Sequence, residues 1–322
     1  AIGLNAMGGA VAGGEYNVAV GNYSLDSLTS GDNVVAVGYS AGTSITTGAN
    51  SVFVGYDAGG DITTGEHNVF VGNAAGNGFD TESHNLGIGT DALGGAINGG
   101  EYNVAVGNYS LDALTTADNN TAVGYQAGSA LTTGTNSVFV GSGSGDAITT
   151  GGANTALGYL SLSQATTESH NTALGREALN GAISGAERNV AVGNYTLDAL
   201  TSGDDNTVVG YQSGTALGAG GYNVAVGKDS LGAAQGDRYN VAVGFEALKV
   251  FNTGTSVNDT ENVAVGVQAG LRVTSGTANT LIGGEAGTEV TTGSNNTCLG
   301  NGAGGSASPN QTVTGSNKIV LG

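Results

Sequence analysis

The stretch Asn17-Val18-Ala19-Val20-Gly21 decides the fold. Small and β-branched apolar residues between a turn-forming Asn and a glycine describe one short strand followed by a corner. The closing glycine returns at Gly3, Gly21, Gly38, Gly55, Gly72, Gly89, Gly107, Gly124, Gly141, Gly158, Gly175, Gly193, Gly210, Gly227, Gly244, Gly266, Gly283, Gly300 and Gly322. The steps are 17 residues, with 18 at three places and 22 at two, so nineteen glycines bound eighteen coils. One unit repeated through a whole chain is the signature of a solenoid, in which each repeat rests on its neighbours. A coil of 17 residues containing several glycines has no room for two helices. The sequence therefore predicts an all-β fold, a parallel β-solenoid (β-roll or β-helix) of eighteen rungs. Such a stack is elongated, about 85 Å long at the roughly 4.8 Å spacing of hydrogen-bonded strands.

With the usual Asn as position one, the motif glycine is position five. Position four is always Val, Ile or Leu, and position two is mostly Val with some Thr (Thr121, Thr155). Alternation sets two and four on one face of the strand and three on the other. The expectation is that two and four line the coil. Position eight is Ala, Ser or Thr, and position nine is either Gly (Gly42, Gly59, Gly128) or a large apolar residue (Leu25, Leu93, Leu111). Position twelve is usually Ile or Leu, followed by Thr-Thr-Gly or a variant, which predicts a second short strand and a second turn.

Position one carries Asn17, Asn68, Asn85, Asn103, Asn120, Asn154, Asn171, Asn189, Asn206, Asn223, Asn240, Asn262, Asn279 and Asn296. In coils without it, Asn33, Asn50, Asn136 or Asn317 stands one place earlier, as if the turn had shifted by a residue. Stacked amides can hydrogen-bond from coil to coil, so these residues are predicted to form an internal structural ladder.

Position three is Ala in most coils but Phe53, Phe70, Phe139, Leu281 and Cys298 in others, and it is never charged or polar. A strand apolar on both faces is buried on both faces. Phe53, Phe70, Phe139 and Leu281 are therefore expected at an interface with a second copy of the chain, in a homo-oligomer or an end-to-end filament.

Composition narrows the function. Gly is 61 of 322 residues, Pro309 is the single proline, and there is no tryptophan. These glycines keep phase with Val, Ile and Leu, which argues against disorder. A net charge of -19, from 26 acids against 7 bases, repels phosphate backbones, so no nucleic-acid partner is expected. No run is apolar enough to cross a membrane. Cys298 stands alone and inside the repeat, where a buried inert thiol is expected. Because the chain opens within the motif, at Ala1-Ile2-Gly3, it reads as a segment of something longer.

A longer period overlies the coil. Gly-Glu-Tyr-Asn-Val-Ala-Val-Gly-Asn-Tyr-Ser-Leu-Asp at 14–26 recurs at 100–112, with a close variant at 186–198. The resulting super-repeats run over 3–88, 89–174 and 175–265, with 266–322 following, in one repeat array over 1–322. The two 22-residue coils hold insert loops near 249–261 and 305–316, the best local sites for special contacts.

Asn-Thr-Ala-Val-Gly (120–124), Asn-Thr-Ala-Leu-Gly (154–158 and 171–175) and Asn-Ser-Val-Phe-Val-Gly (50–55 and 136–141) resemble the head repeats of trimeric autotransporter adhesins. They are similar also to shaft repeats of phage tail fibres and related bacterial fibre proteins. The resemblance implies a trimer of parallel β-rolls and brings no catalytic residues with it.

Catalytic and metal chemistry has little support. His67, His84 and His170 each precede position one, too sparse for a tetrahedral metal site. Asp26, Asp112 and Asp198 recur with the super-repeat but lack calcium-loop spacing. Tyr16, Tyr102, Tyr222 and Tyr239 share the histidines' position; such a strip could meet sugars, though a turn-packing ladder explains it better. The reading is of a non-enzyme without cofactor or metal: an extracellular structural segment of a phage tail fibre or a bacterial cell-surface filament, with an adhesive flank. The alternatives are an adhesin for host glycan or protein receptors and, last, an ice-binding solenoid. Adjacent threonines such as Thr46 and Thr47 point opposite ways and count against the last.

Overall fold

The computed structural model describes residues 1–305 and 315–322. It contains two compact units, Ala1–Asn154 and Thr155–Gly322. Both are parallel β-solenoids, with no helix among the described residues. Among the described residues the first unit holds eight three-residue strands, from Val18–Val20 to Val138–Val140, and the second holds ten, from Thr155–Leu157 to Ile319–Leu321. The division falls inside the second super-repeat, because successive coils pack alike whether or not a duplication joins them.

Strands pair in parallel and in register with the next coil, as Val18↔Val35, Ala19↔Ala36 and Val20↔Val37. The 18-residue coils keep that register, with Leu86↔Val104 across one of them. At Gly38, with φ +145, an added Cβ would lie 2.1 Å from the Gly55 carbonyl oxygen, so the corner after each strand admits only glycine.

Position three points inward. In every three-residue strand except the last, the middle residue is buried and its two neighbours are half-buried or exposed. This reverses the predicted faces. Phe53, Phe70, Phe139 and Leu281 do not face another chain: each is fully buried within its own coil. The reason is width. A coil this narrow closes around one inward residue per strand, so position three meets positions nine and twelve, and the β-branched residues at two and four are left outside. Cys298, also at position three, is buried, and burial pushes its thiol pKa up.

The predicted second strand is missing from the ordinary coils; among the described residues a second ladder forms beside the insert alone, where Asp237–Arg238 pairs with Asn258–Asp259. Thr46 and Thr47 both donate backbone N–H bonds to the Thr63 carbonyl, at 2.8 and 3.4 Å, which is a turn rather than a ladder. Threonine at this turn also caps the next coil, as Thr46 Oγ1 donates to Thr63 O at 3.0 Å. Small hydroxyl residues at position eight close the corner in the same way: Ser24 Oγ donates to Gly21 O at 2.8 Å.

The turn does not shift where Asn is missing from position one. Asn33, Asn50 and Asn136 hold φ of 57°, 55° and 60°, the left-handed conformation that Tyr16, His67 and Tyr102 hold at the same place in their coils. Their Asn identity follows from tolerance of that conformation. Position one is then filled by Val34, Ser51 or Ser137, with strand register unchanged.

Of the two inserts, 305–316 falls mostly on residues 306–314, outside the described residues. The other is partly folded: Asn258–Asp259 pairs in parallel with Asp237–Arg238. Phe251 is buried there, while Val250 and Val257 remain exposed.

Candidate functional surface

The asparagines of position one lie inside the coil. In the first unit, Asn17 Oδ1 accepts from the Val34 N–H at 2.8 Å and Asn68 Oδ1 from that of Asn85 at 2.9 Å. Asn85 and Asn103 accept in turn from the N–H of Asn103 and Asn120, at 2.9 and 3.0 Å, and Asn120 from Ser137 at 3.0 Å. Ser137 keeps the chain of bonds intact, its Oγ accepting from the Asn154 N–H at 3.2 Å. In the second unit the same bond links Asn171, Asn189, Asn206, Asn223, Asn240, Asn262, Asn279 and Asn296 in order, at 3.0–3.1 Å. Many of these amides also bond within their own coil: Asn17 Nδ2 donates to Gly31 O and Asn68 Nδ2 to Glu82 O at 2.8 Å, and Asn206 Nδ2 to Gly220 O at 3.0 Å. These side chains satisfy backbone groups that a three-residue strand leaves open, and they offer nothing to an external ligand.

The outward surface has three regions. Its centre is the strand face. Across both units, positions two and four are Val, Leu, Ile or Thr in every strand, with no charge among them. Val37, Ile88 and Val123 in the first unit are 37, 39 and 36% exposed, and Leu157 and Ile282 in the second are 47 and 42%. Alternation alone assigns this face inward. Its signal in the sequence is a lack of charge in every coil, which a buried strip and a covered strip share.

One flank is the column before position one. His67, His84 and Tyr102 stack with ring centroids 4.9 Å apart at each step and planes 7° apart. The facing sides of the three rings cover one another, and His84 is covered on both sides. A sugar that stacks on an aromatic face finds none between these three rings, whereas Tyr16, at the same place in its coil, is 80% exposed.

The other flank follows the motif glycine. Tyr39 and Tyr56 stack at 5.4 Å, with Tyr23 edge-on to Tyr39 at 5.6 Å. In the second unit Arg176 lies 5.6 Å from the ring centroids of both Tyr159 and Tyr195.

Acidic groups lie off the strand face, and several are committed to structure. Asp32, Asp118 and Asp204 each accept the backbone N–H of the acidic residue one coil earlier, at 2.7–2.8 Å. Asp112 and Asp198 are half-buried, and burial raises their pKa values. Glu168 is buried, and its carboxylate accepts from the N–H groups of Thr166, Thr167 and, on the neighbouring 18-residue coil, Gly185, at 2.6, 2.9 and 2.9 Å. Burial pushes that carboxyl up, but these backbone donors outweigh it and hold it below the usual range. Glu82 has the same role a super-repeat earlier, accepting from Asp80, Thr81 and Gly99.

Among the described residues no group of three or more His, Cys, Asp or Glu is placed to hold a metal ion. Among the described residues no helix is long and apolar enough to cross a membrane. No family model matches the sequence, and no curated protein matches it.

Proposed function

We propose that this chain is a non-catalytic structural segment of an extracellular fibre, of the phage tail-fibre or bacterial cell-surface kind, and that copies of it associate side by side through the strand face. One observation carries the reading: the outward positions two and four are uncharged in every strand of a chain with net charge -19. Contiguous exposed apolar surface on a soluble protein marks an interaction site. A strip free of charge in an acidic chain is matched by the same strip on another copy, where the acids stay at the rim and repulsion is smallest. Lateral association also covers the strip along its length, so many modest contacts sum to a stable interface. The Asn ladder and the glycine corners supply the regular, stiff repeat that such a segment requires.

Mass measurement in solution tests this. The wild-type chain is expected to be oligomeric, and a triple variant Val37→Lys, Val54→Lys, Val71→Lys to be monomeric with an unchanged β spectrum. A wild-type chain that stays monomeric at high concentration overturns the proposal.

A further inference from the structure

The enlarged coil at 240–261 changes the surface beside it. The neighbouring coils are unusually small-sided there: Gly218-Ala219-Gly220-Gly221 in one and Gly232-Ala233-Ala234 in the next. Small residues next to an insert leave a recess. Two adjoining clefts of about 230 and 290 Å³ share Ala219. The insert walls the first through Val257 and the second through Thr255.

The first cleft holds a cation whose only ion pair is a long one. Arg176, Arg188, Lys228, Lys249 and Arg272 are each held by a carboxylate oxygen at 2.6–3.1 Å. Arg238 is not. Its nearest carboxylate oxygen, on Asp259, is 3.8 Å away, and among the described residues its guanidinium donates no hydrogen bond. It is held in place by cation–π contact with Tyr222 and Tyr239, at 5.1 and 5.3 Å from the ring centroids. The guanidinium thus keeps its fork of donors for something else. Asp204, Ser202 and Tyr222 line the same cleft, and Val257 and Ala219 give it apolar wall.

We propose that the double cleft binds a neutral oligosaccharide, with a hexose ring in each half. A hexose hydroxyl both donates and accepts. Arg238 can only donate and the Asp204 carboxylate can only accept; one Asp204 oxygen already takes the Glu187 N–H and the other lies 3.6 Å from Arg188, but each keeps a lone pair for a sugar hydroxyl. Val257 and Ala219 fit the ring's apolar C–H surface. An acidic sugar would also suit Arg238, but Glu187, Asp204 and Asp205 share the single Arg188 beside the cleft, and this acidic cluster and the net charge of -19 oppose a further anion. The site goes beyond the fibre proposal and does not depend on it: all its residues belong to one chain.

Saturation-transfer NMR and calorimetry with maltotetraose, cellotetraose and mannotetraose, against trigalacturonate, test the site. At least one neutral tetraose is expected to bind with a Kd of about 1 mM or tighter, in the range of a small, shallow site. R238A should weaken it about tenfold or more. Ala219→Phe, which fills the shared wall, should abolish binding while the melting temperature stays near wild type. Tyr56→Ser, in the first unit, should leave binding unchanged. The proposal fails if no neutral tetraose binds, if trigalacturonate alone binds, or if binding survives both R238A and Ala219→Phe. A monomeric wild-type chain that still binds a tetraose would sink the fibre proposal and leave this site standing.

Discussion

Phe53 and Gly59 occupy one space: a Cβ built on Gly59 would lie 2.5 Å from Phe53 Cδ1. Gly42, one coil earlier, meets the other side of the ring, with 2.8 Å from its Cβ position to Phe53 Cδ2. The relationship recurs around Phe139, between Gly128 and Gly145, and around Leu281, between Gly270 and Gly287. Where position three is Ala or Gly, position nine is often leucine, as in Ala105 with Leu111 and Gly87 with Leu93, all buried. The interior is filled to constant volume by trading bulk between these positions.

That trade predicts non-additive mutations. Phe53→Ala alone should cost about 3–5 kcal/mol by opening a cavity. Gly59→Leu alone should cost about 1–3 kcal/mol or more by overpacking. The backbone at Gly59, φ +60, is close to that of Leu25, φ +51, so leucine can adopt it. The double variant restores the arrangement of other coils and should recover at least half of the summed loss. Urea unfolding of the four proteins measures the coupling; additive costs would show that the residues do not share space.

The inward face has its own test. Ala122 is fully buried and Val123 is 36% exposed. Ala122→Asp should destabilise by several kcal/mol, since the interior offers its carboxylate no partner. Val123→Asp should change the stability of the single chain by less than about 1 kcal/mol. Equal losses in thermal melts of the two variants would reverse the assignment.

Asn206 connects three coils. It donates to Asn189 Oδ1 and Gly220 O, and accepts from the N–H of Asn223. Asn206→Ala leaves a buried carbonyl and a buried N–H unpaired, each costing about 1–3 kcal/mol. Asn206→Ser should cost less, because Ser51 and Ser137 take the same role, accepting from Asn68 and Asn154 at 3.1 and 3.2 Å. Amide hydrogen exchange at Asn223 should accelerate strongly in the Ala variant and weakly in the Ser variant.

Buried carboxyls give pH effects of opposite sign. Glu168 has a lowered pKa in the folded chain, so its stabilisation is present above the ordinary carboxylate range and is lost as pH falls through the folded value. Glu168→Gln should lower the melting temperature at pH ~7 and converge on wild type near pH ~2. Asp112 and Asp198 have pKa values raised by burial, so their ionised forms are a cost at neutral pH. That cost is relieved as pH falls through the raised values and is gone below the ordinary Asp value of about 3.9. Asp112→Asn with Asp198→Asn should therefore raise the melting temperature at pH ~7 and leave it unchanged at pH ~3. Melting curves at both pH values check the signs.

The glycine interval, the three-residue strand and the Asn at position one were legible in the sequence, because each answers a local demand repeated in nearly every coil. Gly38 must avoid the Gly55 carbonyl, and Asn206 must pair a backbone group on the next coil. The direction of the strand was not legible. Val35, Ala36 and Val37 are all apolar, so alternation gives two faces without saying which is inside. Only the closed coil decides that, because its narrow interior takes the residue whose volume positions nine and twelve can complement. The cleft around Arg238 was hidden for a related reason. Ala219, Arg238 and Val257 come from three turns of the chain, and the recess they form depends on stacking height that no single coil encodes.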